Sequence, residues 1–169
     1  MKKIAVVLAG NGVYDGAEVH ESTLTMLAIA RKGAQYQCFA PDVEQAHVVN
    51  HLNGEEMNEK RNVLVEAARI ARGDIKPLSE YKVEDFDAII FPGGFGAAKN
   101  LCTFAFDGAD CTVNPDVEKA VRSTVVAEKP IGALCITPVF IAKILGDVKV
   151  TIGQDEATLQ AIEKMGGVH

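Results

Sequence analysis

Apolar residues in this chain fall into short solid runs, separated by longer stretches in which they recur every three or four positions. Solid runs fit strands buried on both faces, and the 3.6-residue period fits helices with one buried stripe. The first run, Ile4 to Leu8, predicts an opening strand. Glu18 to Lys32 places Leu24, Leu27, Ala28 and Ala30 at helical spacing and stops at Gly33, a natural C-cap. Gln35 to Phe39 predicts a second strand, and Asn58 to Arg72 a helix built on Val63, Leu64, Ala67, Ala68 and Ile70. Phe86 to Phe91 predicts a third strand, which runs into Pro92-Gly-Gly-Phe-Gly. Pro115 to Glu128 predicts a helix, Ile131 to Leu134 a fourth strand, Val148 to Ile152 a short fifth and Glu156 to Met165 a last helix.

Strands and helices in alternation, with apolar strand runs, predict an α/β domain: a mainly parallel sheet covered on both faces, in three layers. In such sheets ligands bind beyond the carboxyl ends of the strands, where the loops gather. The 169 residues, 48% of them hydrophobic, suffice for one domain, here read as 1–169. The chain stops at Gly166-Gly-Val-His, where another strand is expected, so the reading is of a single domain lacking a C-terminal segment. That break predicts open apolar surface, covered either by further chain or by association.

Composition narrows the partners. The net charge of -6 and the lack of a Lys/Arg cluster argue against nucleic acid and against an anionic membrane surface. No apolar run approaches membrane-spanning length. The four cysteines, at 38, 102, 111 and 135, form no Cys-x-x-Cys pair, which argues against zinc and disulfides and places the protein in a reducing cytoplasm. His47 and His51 are spaced like metal ligands but lack a third ligand in the sequence, so no metal is expected.

Cys135 carries the chemistry. It ends the apolar run Ile131 to Leu134 and a helical pattern follows at once, the arrangement of a nucleophile elbow with cysteine in place of serine. The N–H groups of a helix start favour a thiolate there. Two other loops reach the same sheet end. Adjacent glycines in Pro92-Gly-Gly-Phe-Gly bring backbone N–H groups close to a ligand. In the loop that opens at Asn11, Gly10, Gly12 and Gly16 fall short of a dinucleotide fingerprint because Asp15 holds its last position. Glu18 and Glu21 beyond it lie one helical turn apart, a spacing that equally suits carboxylates complementing the helix dipole.

Gly16-Ala-Glu-x-x-Glu after the first strand, Pro92-Gly-Gly after a middle strand and Gly132-x-x-Cys-x-x-Pro at the elbow together resemble the ThiJ/PfpI superfamily. Within it, Gly12-Val-Tyr-Asp-Gly, Cys38-Phe-Ala-Pro-Asp, Asn50-His-Leu-Asn-Gly-Glu, Arg61-Asn-Val-Leu, Pro92-Gly-Gly-Phe-Gly-Ala-Ala-Lys-Asn and Thr151-Ile-Gly resemble the ElbB-like glyoxalases, or sigma cross-reacting proteins. The resemblance implies a flavodoxin-like fold of the class I glutamine amidotransferase type, commonly homodimeric. It implies a glyoxalase that needs neither cofactor nor glutathione and acts on a small dicarbonyl substrate, as reactive-carbonyl detoxification under stress requires. Carried over by position, Cys135 is the nucleophile and Glu21 the acid beside it. Gly94 and Ile136 supply an oxyanion-binding N–H pair, and Gly93, His20 and Asn11 line the substrate site. Redox sensing and repair of glycated proteins are the alternatives. A cysteine peptidase or glutaminase is disfavoured because Ile136 follows Cys135 and no histidine lies between His51 and His169.

Overall fold

The computed structural model describes all 169 residues, Met1–His169. Its elements are β1 (Lys3–Val7), α1 (Val19–Arg31), β2 (Gln35–Ala40), α2 (Val63–Ile70), β3 (Ile75–Pro77), β4 (Ala88–Phe91), α3 (Phe104–Asp107), α4 (Pro115–Val126), β5 (Ile131–Ala133), α5 (Pro138–Leu145) and α6 (Glu156–Lys164), with a π-helical turn at Ala97–Leu101. The five strands form one all-parallel sheet in the order β3-β2-β1-β4-β5. Helices flank it, giving the α/β sandwich that the alternation predicts and the flavodoxin-like, class I amidotransferase-like form that the resemblance implies. Chain order reverses between β1 and β4, so a crevice opens at the carboxyl ends of those neighbours.

Burial follows from the parallel arrangement. Ala5, Val6, Val7, Leu8 and Ala9 are fully buried, as a central strand covered on both faces requires. On one side of the sheet Phe39, Tyr81 and Phe86 pack as an aromatic trio, with centroids 5.4–5.8 Å apart. Phe91 at the end of β4 meets Phe140 of α5 edge-on at 5.2 Å. α5 buries six of its eight residues, which makes it an internal helix behind the elbow.

Several elements differ from the sequence expectation, among them α3 and the π-helical turn, which it did not include. The helix expected from Asn58 begins only at Val63, because Asn62 caps it by accepting the Val65 N–H. Val148 to Ile152 does not join the sheet; Lys149 makes one parallel bridge to Val168, and Val150 N–H donates to Val168 O at 2.9 Å. The edge strand β3 was not expected, since three residues ending in proline carry almost no period-two signal.

Candidate active site

Three loops leave β1, β4 and β5 and meet over the switch point. The β5 loop is fixed by Thr137, which is fully buried; its hydroxyl donates to Leu134 O at 2.8 Å and lies 3.2 Å from Phe91 O. Leu134 N–H also donates to Phe91 O, at 3.1 Å. Cys135, between them, has φ of 57°, a left-handed conformation that is uncommon for a side-chain-bearing residue. The elbow is thus strained backbone held by buried hydrogen bonds, and it lifts the cysteine out to an exposed position. α5 starts at Pro138 rather than at the cysteine, so residues 135–137 form a turn.

Gly93 joins this elbow to the acid. Its N–H donates to Glu21 Oε2 at 2.8 Å. A Cβ at position 93 would overlap that of Cys135, and would lie 2.7 Å from Glu21 Oε2 and 3.0 Å from Cys135 Sγ. Carboxyl and sulfur therefore flank the same glycine, and only a residue without a side chain lets them. Gly94, with φ of 102°, sits so close to residues 16–18 that a side chain would strike the Glu18 nitrogen and the Gly16 carbonyl. The β1 and β4 loops are laced together: Glu18 N–H donates to Gly93 O, Phe95 N–H to Val13 O and Gly96 N–H to Gly16 O, all within 2.9 Å. In contrast, the N–H groups of Gly94 and Ile136 donate to no acceptor within the chain. Two free donors beside a thiol are what an oxyanion site needs.

Cys135 opens into a cavity of about 440 Å³, walled also by Gly94, Ile136, Val13 and Phe95. The remaining wall comes from Ile152, Asp155 and Thr158, a segment that sequence reasoning did not connect to the site. Ile152 belongs to the Thr151-Ile-Gly stretch, but Asp155 and Thr158 carry no motif, so only the three-dimensional fold brings them there. Asp155 caps α6: its Oδ2 accepts the Thr158 N–H at 2.9 Å and the Thr158 hydroxyl at 2.5 Å. The Thr158 hydroxyl, then its N–H, hold the Asp155 carboxyl below its usual range.

Not every sequence candidate arrives. His20 is exposed and points to Glu18, with Nδ1 2.9 Å from Oε1, and does not line the cavity. Asn11 does not line it either, its backbone being packed against Gly16, and Gly93 gives its N–H to Glu21 and forms no part of the cavity wall. Glu18 acts as the N-cap of α1, its Oε2 accepting the Glu21 N–H at 2.7 Å. His51 stacks on Tyr14 and its Nε2 accepts the Tyr14 N–H at 3.2 Å, which makes it a loop clamp. No group of three or more His, Cys, Asp or Glu side chains is arranged to hold a metal ion. A larger cavity, about 720 Å³, lies in the 44–60 loop between Glu44, Glu56, Glu59 and Lys60, and contains no cysteine, serine or threonine.

No protein-family model matches the chain. It is 49% identical over 177 residues to the human mitochondrial glutamine amidotransferase-like class 1 domain-containing protein 3, covering 99% of this chain and 66% of that one. It is 38% identical over 183 residues to the mitochondrial ES1 protein of Danio rerio, covering 98% and 68%. The chain thus spans about two thirds of the curated relatives it matches. Among solved structures, an isoprenoid biosynthesis protein with an amidotransferase-like domain from Ehrlichia chaffeensis superposes with a TM-score of 0.90 at 45% identity, covering 99% of this chain and 78% of that one. Glyoxalase III from Candida albicans shares the fold, with a TM-score of 0.61 at 16% identity over 99% of this chain and 82% of that one. The cytoplasmic expectation is corrected by these relatives, whose names place them in mitochondria. Unpaired thiols report a reducing environment and not the compartment that supplies it. By identity, coverage and fold, the chain belongs to the ES1 family of class I glutamine amidotransferase-like proteins.

Proposed function

We propose that the protein is a cofactor-independent glyoxalase that converts glyoxal, and methylglyoxal, to the corresponding hydroxy acid. The observation that carries this reading is the juxtaposition around Gly93: an elbow cysteine, a carboxyl on the same glycine, and unpaired N–H groups at Gly94 and Ile136. The resemblance of the six sequence stretches to sigma cross-reacting glyoxalases supports it further.

The Cys135 sulfur attacks one carbonyl carbon of glyoxal, forming a C–S bond, and the carbonyl oxygen takes the charge opposite the Gly94 and Ile136 N–H groups. Protonation gives a hemithioacetal. Glu21 removes the proton on that carbon and returns one to the neighbouring carbon, which converts the adduct to a hydroxyacyl thioester. Water then cleaves the C–S bond, releasing glycolate and the free thiol. The net reaction adds one water to glyoxal, with oxidation at one carbon balanced by reduction at the other.

An acyl-transfer enzyme with a cysteine–histidine pair fits less well, since no histidine lines the cavity and His20 is engaged by Glu18. Turnover of glyoxal by purified protein, followed as glycolate by NMR, tests the reading. Activity is expected to disappear in Cys135→Ser. Equal activity in that variant, or none in the wild type, overturns it.

A further inference from the structure

The cavity is larger and more apolar than glyoxal requires. Glyoxal has four heavy atoms, roughly two water volumes or about 60 Å³, against a cavity of about 440 Å³. Val13, Phe95, Ile136 and Ile152 supply most of its wall, and Asp155 is the only charged side chain in it. Both Thr158 donors engage Asp155 Oδ2, which leaves Oδ1 without a partner in the chain. The other carboxylates near the site, Glu18 and Glu21, are acidic too. Lys99, beyond the wall, is engaged elsewhere: its Nζ donates to Tyr14 O at 2.8 Å and stands 6.0 Å from the Phe95 ring centre. An anionic ligand entering here would give up water to apolar walls and meet a carboxylate, with no cation in the wall to compensate.

We infer that the cavity beside Cys135 takes an uncharged or cationic carbonyl compound with an apolar body, and that Asp155 is the specificity-determining residue that turns anionic carbonyl compounds away. The inference rests on Cys135 acting as a nucleophile toward carbonyl carbon and extends that reading to the substrate class. It assigns a role to the segment between α5 and the chain's last helix, which the three motif loops do not include.

The test has an arm that does not depend on turnover. Alkylation rates at the Cys135 peptide are measured with iodoacetamide, N-benzyl iodoacetamide and iodoacetate, in the folded protein and in urea. Folding is expected to penalise iodoacetate relative to iodoacetamide by about two- to threefold, the size of effect an exposed carboxylate supports. Folding is also expected to favour the benzyl reagent. Asp155→Asn should narrow the anion penalty; asparagine caps helices as well as aspartate, so α6 keeps its start. Raising ionic strength should narrow it in the wild type, a second measurement that needs no variant. An anion penalty unchanged by folding, or by both Asp155→Asn and salt, overturns the inference. In the turnover arm, phenylglyoxal should exceed glyoxal in kcat/KM, and 4-carboxyphenylglyoxal should fall below phenylglyoxal. Turnover in which glyoxal is preferred over phenylglyoxal overturns the selectivity and leaves the glyoxalase reading intact. Charge-selective labelling without any turnover does the reverse.

Discussion

Cys38 and Cys111 are each 1% exposed and Cys102 3%, whereas Cys135 stands in the open. Burial pushes the Cys38 thiol up to about 12, so it offers neither access nor charge. Cys111 is a sharper competitor, because the neighbouring Cys102 thiol draws its thiol down while Cys102 moves the other way. Access decides between them: a thiolate that solvent cannot reach reacts slowly whatever its charge. Limiting iodoacetamide at neutral pH, followed by peptide mapping, is therefore expected to modify Cys135 first. Prior labelling of Cys111 would show that the 102–113 segment opens more readily than its burial implies. Position 21 yields a second expectation. Glu21→Gln keeps an acceptor for the Gly93 N–H but removes the exchangeable proton, so glyoxal turnover should fall roughly 10²–10⁴-fold with the fold intact. At this scale the sequence exposed the motif residues, because the elbow and the paired glycines depend on local backbone. It misplaced His20, whose ring is held by Glu18, and Asn11, whose backbone packs against Gly16. It was silent on Asp155 and Thr158, which reach the cavity only through tertiary packing.

The element that positions Glu21 is α1, and its start is fixed by one side chain. Glu18 accepts the Glu21 N–H at the N-terminus while its own N–H is tied to Gly93 O at 2.8 Å, so the helix cap and the oxyanion loop share a residue. Glu18→Ala should cost about 1 kcal/mol, as lost N-caps do, and lower Tm by roughly 2–4 °C in a domain of this size. The Glu21 N–H holds the Glu18 carboxyl below its usual range, with His20 adding a smaller effect. A carboxyl whose folded pKa is depressed stabilises above its unfolded pKa, and that stability is lost as pH falls through the folded pKa. The Tm gap between wild type and Glu18→Ala should accordingly be widest at neutral pH and close in acid; a gap independent of pH would assign the loss to packing. Most elements were legible in the sequence because buried parallel strands read as solid apolar runs and α1 and α4 are long and periodic. Asn58 to Asn62 looked helical only because periodicity ignores the cap that delays α2. Val148 to Ile152 has strand composition, yet the residues it pairs with lie near 168 and not in the sheet.

For the molecule as a whole, the question is what holds three separate loops at one end of the sheet to within hydrogen-bonding distance of each other. Asn100, in the π-helical turn and 8% exposed, provides much of the answer. Its amide donates to Ala9 O and to Asp15 O, both at 2.9 Å, and its Oδ1 accepts the Ala46 N–H at 3.0 Å. One side chain thus ties the end of β1, the loop that carries Val13, and the loop after β2. Backbone groups buried against it have no water to turn to. Asn100→Ala leaves two carbonyls and one N–H without partners and should cost about 3 kcal/mol, lowering Tm by roughly 6–12 °C. Asn100→Asp keeps the acceptor for Ala46 but cannot donate to either carbonyl, so it should lose comparable stability. Because the β1 loop also holds Phe95 and Gly96 through Val13 and Gly16, the damage should reach the site. In Asn100→Ala that still folds at low temperature, Cys135 is expected to lose the reagent selectivity that the walled cavity confers. Thermal melts and alkylation ratios on the same samples check both halves. Full retention of Tm and selectivity would mean that the backbone lacing between residues 13–18 and 93–96 suffices alone to assemble the site.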